Sequence, residues 1–267
     1  MVYTVATFNI KRESSAKAKK SFQNRAESVK DFFDKVSPDI LGTQELTESA
    51  LEILEKTKHI SQKYERVGEP RTLNKKGEYT AIFFKKELFE LIESDTFWLS
   101  RSPKIKGSRS WLSLFPRTCT WCILKPKGGG DLIRVYNTHL DCFSPFARLR
   151  GISLIKRFAE KYDSDRLCGT VIMGDFNARP SSKTVKTLTQ GEQQTVVKDT
   201  FSVLYRIDPH NIRTYHGFKG KKKGTPIDYI FTTKKIDILS AHIDRTTYAE
   251  TYPSDHFPVI AKLEIKE

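Results

Sequence analysis

The chain contains no apolar run long enough to span a bilayer, which excludes a helical membrane protein. It has only four cysteines, Cys119, Cys122, Cys142 and Cys168. Cys119 and Cys122 have C-x-x-C spacing, but no second pair completes a zinc site, and positions i and i+3 of a strand face opposite ways. All four are expected to be core or near-core thiols in a reducing cytoplasm. No low-complexity linker, strong repeat or charge shift marks a boundary, so one domain over residues 1–267 is expected. Met1–Phe8 has no basic region ahead of its apolar part and reads as a strand; no signal peptide is expected. Acidic residues are in short supply: 46 basic face 32 acidic side chains, a net charge of +14. That excess favours a polyanionic partner, although it also serves solubility.

What is present alternates between strand and helix patterns. Residues 2–8 read as a strand ending at Asn9. Residues 21–36 carry Phe22, Ala26, Val29, Phe33 and Val36 at helical spacing. Ile40–Thr43 is a short buried strand leading into Gln44-Glu45, and Thr47 caps a helix over about 48–58. Strands are predicted at 79–85, over 88–99, at 118–124 and at 131–140, the last two joined by the Gly128–Gly130 turn. Ser144-Pro145 starts a helix running to about Tyr162, with Phe146, Leu149, Ile152, Ile155, Phe158 and Ala159 inward. A strand over 169–173, a helix near 182–190, a loop to about 213 and strands at 228–233, 236–244 and 257–264 complete the reading. Helices between strands predict an α/β domain with helices covering sheet faces.

The chemistry gathers around Gly174-Asp175-Phe176-Asn177-Ala178, where the 169–173 strand runs out. Asp175 and Asn177 sit two positions apart and face one space. Alone, such a stretch is an ordinary turn. It does not stand alone: Asn9, Glu45, His139, Asp141, Asp228, Asp255 and His256 also fall beside predicted strand ends. Carboxylate and carboxamide oxygens suit a hard divalent cation. A carboxylate can take a proton from water, and a histidine can face phosphate oxygens. Asp141 has a plainer reading as a cap on the turn before Ser144. His59, His210 and His242 read as surface or structural residues, and His216 leans the same way. The tryptophans Trp98, Trp111 and Trp121 read as core, Trp111 least securely.

Thr7-Phe8-Asn9-Ile10, Gln44-Glu45, Asn137-Thr138-His139-Leu140-Asp141, Gly174–Ala178, Ile227-Asp228-Tyr229 and Ser254-Asp255-His256-Phe257-Pro258 occur in a characteristic order. The chain resembles in these motifs the endonuclease/exonuclease/phosphatase superfamily, which includes deoxyribonucleases, apurinic endonucleases, deadenylases, inositol-polyphosphate phosphatases and neutral sphingomyelinases. Phe97–Ser100, Pro116–Trp121 and Thr214–Phe218 are similar to a bacterial-type branch, with the deadenylases the nearest named likeness. Members of that branch often carry an acid after Trp-Leu-Ser, where this chain has Arg101.

The resemblance implies a four-layer α/β/β/α sandwich, two packed mixed sheets with helices outside and a site at one sheet edge. It implies Mg²⁺ (with Mn²⁺ as substitute) held by Glu45, with Asn9 and Asp255 beside it. Asp175 would orient or deprotonate the attacking water and Asn177 would position water or phosphate. His256, held by Asp228, would contact the scissile phosphate. His139 would face it from the other side and protonate the leaving oxygen, with Glu78 as its carboxylate partner. Arg117, Asn137 and Tyr215 are the expected substrate contacts.

The expected function is a metal-dependent phosphoester hydrolase in the cytoplasm, a monomer with no obligate protein partner. The basic charge, the acid-free stretch 101–127 and the run Lys219–Lys223 favour single-stranded nucleic acid as substrate. The run is either a solvated loop or an arm over the groove. The alternatives are a small soluble or lipid phosphoester, or a phosphate-binding module without catalysis.

Overall fold

The computed structural model describes residues 1–13, 21–74, 77–161, 167–190, 198–207, 210–233 and 235–265. In β1 (Val2–Asn9), Tyr3 and Val5 join one apolar core while Ala6 and Phe8 join another. Strand side chains alternate between faces, so β1 is covered on both sides. Helix α1 (Phe22–Lys35) begins at Ser21, whose Oγ accepts the Asn24 amide. Its buried stripe of Phe22, Ala26, Val29, Phe32 and Phe33 lies on the first sheet, with the Phe32 ring 4.9 Å from Phe8. β2 (Ile40–Gln44) returns parallel to β1 and places Gln44 opposite Asn9. Then come α2 (Glu48–Glu55), α3 (Lys58–Lys63), β3 (Tyr64–Val67) and β4 (Ile82–Lys85).

The second sheet starts with β5 (Phe89–Trp98), β6 (Thr118–Pro126) and β7 (Leu132–His139). Helix α4 (Pro145–Lys161) carries the chain back to β8 (Leu167–Asp175), which runs parallel to β7 and sets Asp175 opposite His139. On the outer side of this sheet, the Phe158 ring of α4 stacks on Phe97 at 4.2 Å. After α5 (Lys183–Thr189), β9 (Lys198–Asp199) and α6 (Phe201–Ile207), β10 (Asp228–Thr232) pairs antiparallel with β8, opening with Asp228 opposite Asp175. The chain closes with β11 (Ile236–Ile243) and β12 (Val259–Ile265) back on the first sheet. The strand orders are β11-β12-β1-β2-β4-β3 and β5-β6-β7-β8-β10-β9. The expected four-layer α/β/β/α sandwich is what the chain forms.

The two sheets are stapled by polar groups as well as by Val5, Ile40, Ile82, Val135 and Ile172. Asn137 on β7 donates to the Thr43 and Ala81 carbonyls, both at 2.8 Å, and accepts from Gln44 Nε2 at 2.7 Å. Gly42 makes this crossing possible: a Cβ there would stand 2.8 Å from the Asn137 carboxamide. Asn137 is therefore fully buried, its amide is committed to the first sheet, and it does not line the cavity described below. This corrects its expected role as a substrate contact.

Other departures have local causes. The helix expected over 48–58 breaks at Thr57, which separates α2 from α3, and β3 follows as a four-residue strand too short to carry a period. The strand expected from Tyr79 is regular only from Ile82, Tyr79 forming isolated bridges to Leu46 and Pro70. β9 and α6 occupy a stretch read as loop. Phe146 is exposed although Ala147 beside it in the first turn of α4 is buried, so the buried face of the helix passes through Ala147. Cys142 is likewise exposed, whereas Cys119 and Cys122 are buried as expected. The end of the expected α4 at Tyr162 lies outside the described residues.

Candidate active site

Two β-α-β units, β1-α1-β2 and β7-α4-β8, deliver the C-terminal ends of four strands to one edge. Asn9, Glu45, His139 and Asp175 sit at those ends. Asp228 reaches the same edge by starting rather than ending its strand, since β10 opposes β8. Asp255 and His256 precede β12, in a turn tied down by the Ser254 hydroxyl donating to the Asn9 carbonyl at 2.6 Å. Arg25 of α1 completes that tie, donating to the Ile10, Lys11 and Pro253 carbonyls.

Asp175 is at the centre. Gly174 before it has φ +142°, and a Cβ there would fall 1.9 Å from the Thr138 carbonyl oxygen, so only glycine lets β8 enter the site this closely. The buried Asp175 carboxylate accepts the Asn177 amide at 2.8 Å on Oδ1 and Asn9 Nδ2 at 3.0 Å on Oδ2. Oδ2 also lies 3.6 Å from His139 Nε2 and 3.9 Å from His256 Nε2. Burial, then repulsion from Asp228, raise its pKa to about 7. His256 Nδ1 lies 2.9 Å from Asp228 Oδ2, which aims Nε2 toward Asp175. Burial works against a charged His256, but Asp228, Asp175 and Asp255 outweigh it and raise its pKa to about 10. His139 goes the other way: burial, reinforced by the Arg117 guanidinium, pushes it well below its ordinary value and leaves it neutral. Asn177, at φ 48°, donates to the Leu140 carbonyl at 3.1 Å and lines the cavity.

Glu45 has φ 58°, a turn that swings its side chain away from β2 and into the site. Its carboxylate accepts Asn9 Nδ2 at 3.0 Å and the Arg12 amide at 2.9 Å. Burial would raise its pKa, but the Lys11 ammonium, the Arg12 amide and Asn9 favour the charged carboxylate and hold the pKa below its ordinary value. Lys11 Nζ stands 3.3 Å from Asp255 Oδ2, drawn by both carboxylates. An ammonium beside two carboxylates marks a place where the oxygen donors of this chain call for positive charge, and such donors fit a divalent cation of the Mg²⁺ type. Asn9 presents its amide nitrogen to Glu45 and Asp175, while its oxygen accepts the Lys11 amide at 3.0 Å. Asp175, Asp228 and His256 form a second close cluster, but there the His256–Asp228 contact already uses one ring nitrogen.

These groups open into a cavity of about 420 Å³ lined by Glu45, His139, Asp175, Asn177, Tyr215 and His256. Tyr215 is 46% exposed, its ring 5.0 Å from that of His256. Arg117 is buried and lines the cavity. The wall also holds Lys11, Arg12, Arg71, Phe115, Cys142 and Phe143, which sequence reasoning missed. Arg71 lies on the opposite arm of the turn that carries Glu78, its amide donating to the Glu78 carbonyl at 3.0 Å. Glu78 is not the partner of His139. Its carboxylate accepts Arg71 Nη1 at 2.9 Å and Arg12 Nη1 at 3.3 Å, because two guanidiniums compete for it more strongly than a neutral imidazole.

Asp141 is the cap it was read as, accepting the Phe143 and Ser144 amides at 2.8 and 2.6 Å. His216 is structural: it is buried and stacked on Phe257 at 3.8 Å, with burial pulling its pKa to about 4. Lys221, Lys222 and Lys223 are exposed and do not line the cavity.

Comparison with known proteins bears on the fold and the family. An endonuclease/exonuclease/phosphatase protein from Bacteroides vulgatus superposes with a TM-score of 0.87 at 28% identity, covering 100% of both chains. The mannosyl-6-phosphatase Bt3783 of Bacteroides thetaiotaomicron gives 0.86 at 25% identity, covering 98% of this chain and 100% of that one. D. rerio TDP2 complexed with single strand DNA product shares the fold at 0.75 and 15% identity, covering 98% and 99%. A sequence comparison with curated proteins gave no significant match. The Endonuclease/Exonuclease/phosphatase family profile matches residues 6–256, a span that runs from β1 to His256 and takes in every strand end of the site; the chain belongs to that family.

Proposed function

We propose that the protein is a divalent-cation-dependent phosphoester hydrolase that attacks phosphorus with water activated by Asp175. The observation that carries this reading is the Asp175 carboxylate, buried between two imidazole Nε2 atoms with its pKa raised to about 7. A base poised near neutrality can hold or release a proton at working pH. Glu45 and Asp255, with Asn9 beside them, would hold Mg²⁺ or Mn²⁺, which when bound supplies positive charge to phosphate oxygens and polarises water.

The protein's own groups do the rest. Asp175 Oδ2 takes the proton of the attacking water, and Asn9 and the Asn177 amide keep that carboxylate oriented. His256, charged and fixed by Asp228, donates from Nε2 to a non-bridging phosphate oxygen and stabilises charge in the transition state. His139, held neutral by burial and by Arg117, offers one N–H as a hydrogen bond on the opposite side.

The cavity's size supports a soluble phosphoester as the substrate. Single-stranded nucleic acid is the second reading, favoured by the exposed Arg101, Arg109 and Lys221–Lys223 beyond the cavity. The test is purified protein with Mg²⁺ against sugar phosphates, inositol phosphates, RNA, single-stranded DNA and sphingomyelin. Turnover of none of them rejects the hydrolase. A kcat/KM that falls steeply with salt on a polymer, and flattens on Lys221→Ala, Lys222→Ala, Lys223→Ala, selects the nucleic-acid reading.

A further inference from the structure

We infer that Arg12, Arg71 and Arg117 form a clamp for a dianionic terminal phosphate, making the enzyme selective for phosphomonoesters over phosphodiesters. This rests on the hydrolase reading above and names the substrate class of the same site.

The three guanidiniums line one wall of the cavity, and Arg71 and Arg117 continue into a recess shared with Glu45, Glu78 and His139. Their positive charge is under-compensated. Arg12 and Arg71 share one carboxylate, Glu78, at 3.3 and 2.9 Å. Among the described residues Arg117 pairs with Asp141 alone, with Nε 3.8 Å from Oδ2, and that carboxylate already accepts the Ser113 hydroxyl and the Phe143 and Ser144 amides. Its other contact is Nη2 to the Cys142 sulfur at 3.3 Å.

Arg71 and Arg117 are both more than nine-tenths buried, and the Nε–H of each is buried without a hydrogen-bond partner. A buried, unsatisfied guanidinium N–H is costly, so fixed donors of this kind point to an acceptor that arrives with the ligand. Burial, and then repulsion from Arg117 and Arg12, also lower the proton affinity of Arg71.

The acceptor has a definite chemistry. A phosphomonoester near neutral pH carries close to two negative charges and three non-bridging oxygens. A phosphodiester carries one charge and two such oxygens. Guanidinium forks pair with phosphate oxygens in a fixed planar geometry. Arg12 and Arg71 share Glu78, and Arg117 faces a carboxylate already committed to three donors; the excess positive charge matches the dianionic monoester, and the three guanidiniums match its three oxygens. In a diester, the second ester carbon would stand against a guanidinium. In the reaction, the water oxygen bonds to phosphorus and the P–O bond to the alcohol breaks. Asp175 holds one proton of the attacking water, the other stays on the new phosphate, and the departing alkoxide takes up the Asp175 proton by way of solvent; inorganic phosphate stays in the clamp until released.

The test compares a phosphomonoester with its methyl phosphodiester under saturating Mg²⁺, together with calorimetric binding of inorganic phosphate and dimethyl phosphate to metal-free protein. The wild type is expected to favour the monoester and to bind phosphate but not dimethyl phosphate. Arg71→Met and Arg117→Met are expected to lose about 10²–10³-fold in monoester kcat/KM and change the diester little. They should also lose phosphate binding while keeping the wild-type circular dichroism. Arg12→Ala, at a half-exposed side chain that folding does not need, should weaken phosphate binding in the same direction. Equal losses on both substrates, or unchanged phosphate binding in Arg71→Met and Arg12→Ala, overturn the clamp. If neither ester is turned over, the hydrolase reading fails, and the phosphate measurement still decides the clamp.

Discussion

Asn9 Nδ2 and Asp175 Oδ2 lie 3.0 Å apart, a buried hydrogen bond that crosses from the first sheet to the second at the edge where the site opens. The same nitrogen donates to Glu45 Oε1 at 3.0 Å. One amide group thus separates the carboxylate expected to hold metal from the carboxylate expected to take a proton. Asn9→Asp would place a third negative charge between them. That disfavours the charged form of Asp175, so its pKa rises further and the rising limb of the pH–kcat/KM profile moves to higher pH. A limb that stays put, with normal metal affinity, removes Asn9 from the electrostatics of the site.

Asp175→Asn keeps the hydrogen-bonded shape and removes the proton acceptor. Turnover is expected to fall by about 10²–10⁴-fold, with His256→Ala costing at least as much. The double variant should not multiply the two losses, because Oδ2 and His256 Nε2 face the same reacting group. Near-normal single-turnover rates in Asp175→Asn would assign water activation to another group.

Metal dependence has two readouts. EDTA should abolish turnover and Mg²⁺ or Mn²⁺ restore it, and Glu45→Gln should raise the Mg²⁺ concentration needed for half-maximal rate. Lys11→Met should have the opposite effect on binding. Its ammonium competes for Asp255 and Glu45, and its loss leaves those carboxylates more attractive to a cation measured calorimetrically. Weaker cation binding in Lys11→Met would mean that the lysine positions the carboxylates rather than competing for them.

The ease of reading different parts of the site has physical causes. Asn9, Glu45, His139, Asp175, Asp228 and His256 were legible because each ends or begins a patterned strand, where periodicity stops and chemistry becomes visible. The alternation of patterns argued for an α/β domain with helices on sheet faces, and the four-layer form came from the family resemblance that the ordered motifs carry. Asn137 misled because its motif neighbour His139 faces the cavity. With a period of two, Asn137 points the same way as His139, but deeper between the sheets, where Gly42 leaves room for it. Arg71 and Arg12 were invisible because their positions depend on loops that fold onto Glu78, a pairing over 66 residues for Arg12. β9 and α6 went unread because a two-residue strand carries no period.

The Asn137 staple carries a stability prediction. Asn137→Leu would remove three hydrogen bonds that cross a dry interface, and Gly42 leaves no room for a bulkier branch. Gln44 Nε2 keeps the Thr7 hydroxyl and the Gly42 carbonyl, and the Ala81 carbonyl keeps the Thr43 amide, so the expected loss is about 1–3 kcal/mol. Denaturant melts within about 0.5 kcal/mol of the wild type, the range of a neutral surface change, would show the staple to be dispensable.

The last prediction concerns Asp199, which does not line the cavity. Its carboxylate accepts the Phe201 amide at 2.9 Å at the start of α6, and burial raises its pKa to about 7. An unfolded aspartate titrates near ~3.9. Between those values the folded chain binds the proton more tightly than the unfolded one, so this group favours folding at acid pH. That contribution is complete below the unfolded pKa and is lost as pH rises through about 7. Each tenfold difference in proton affinity corresponds to about 1.4 kcal/mol. Asp199→Asn retains an oxygen for the Phe201 amide and has no proton to lose. Its stability should match the wild type near pH 4 and exceed it at pH 8, so the difference between the two melting curves should open progressively between those pH values. A constant difference across that range, or a variant less stable at pH 8, would mean that the Asp199 carboxylate is ionised in the folded chain and that α6 depends on its charge.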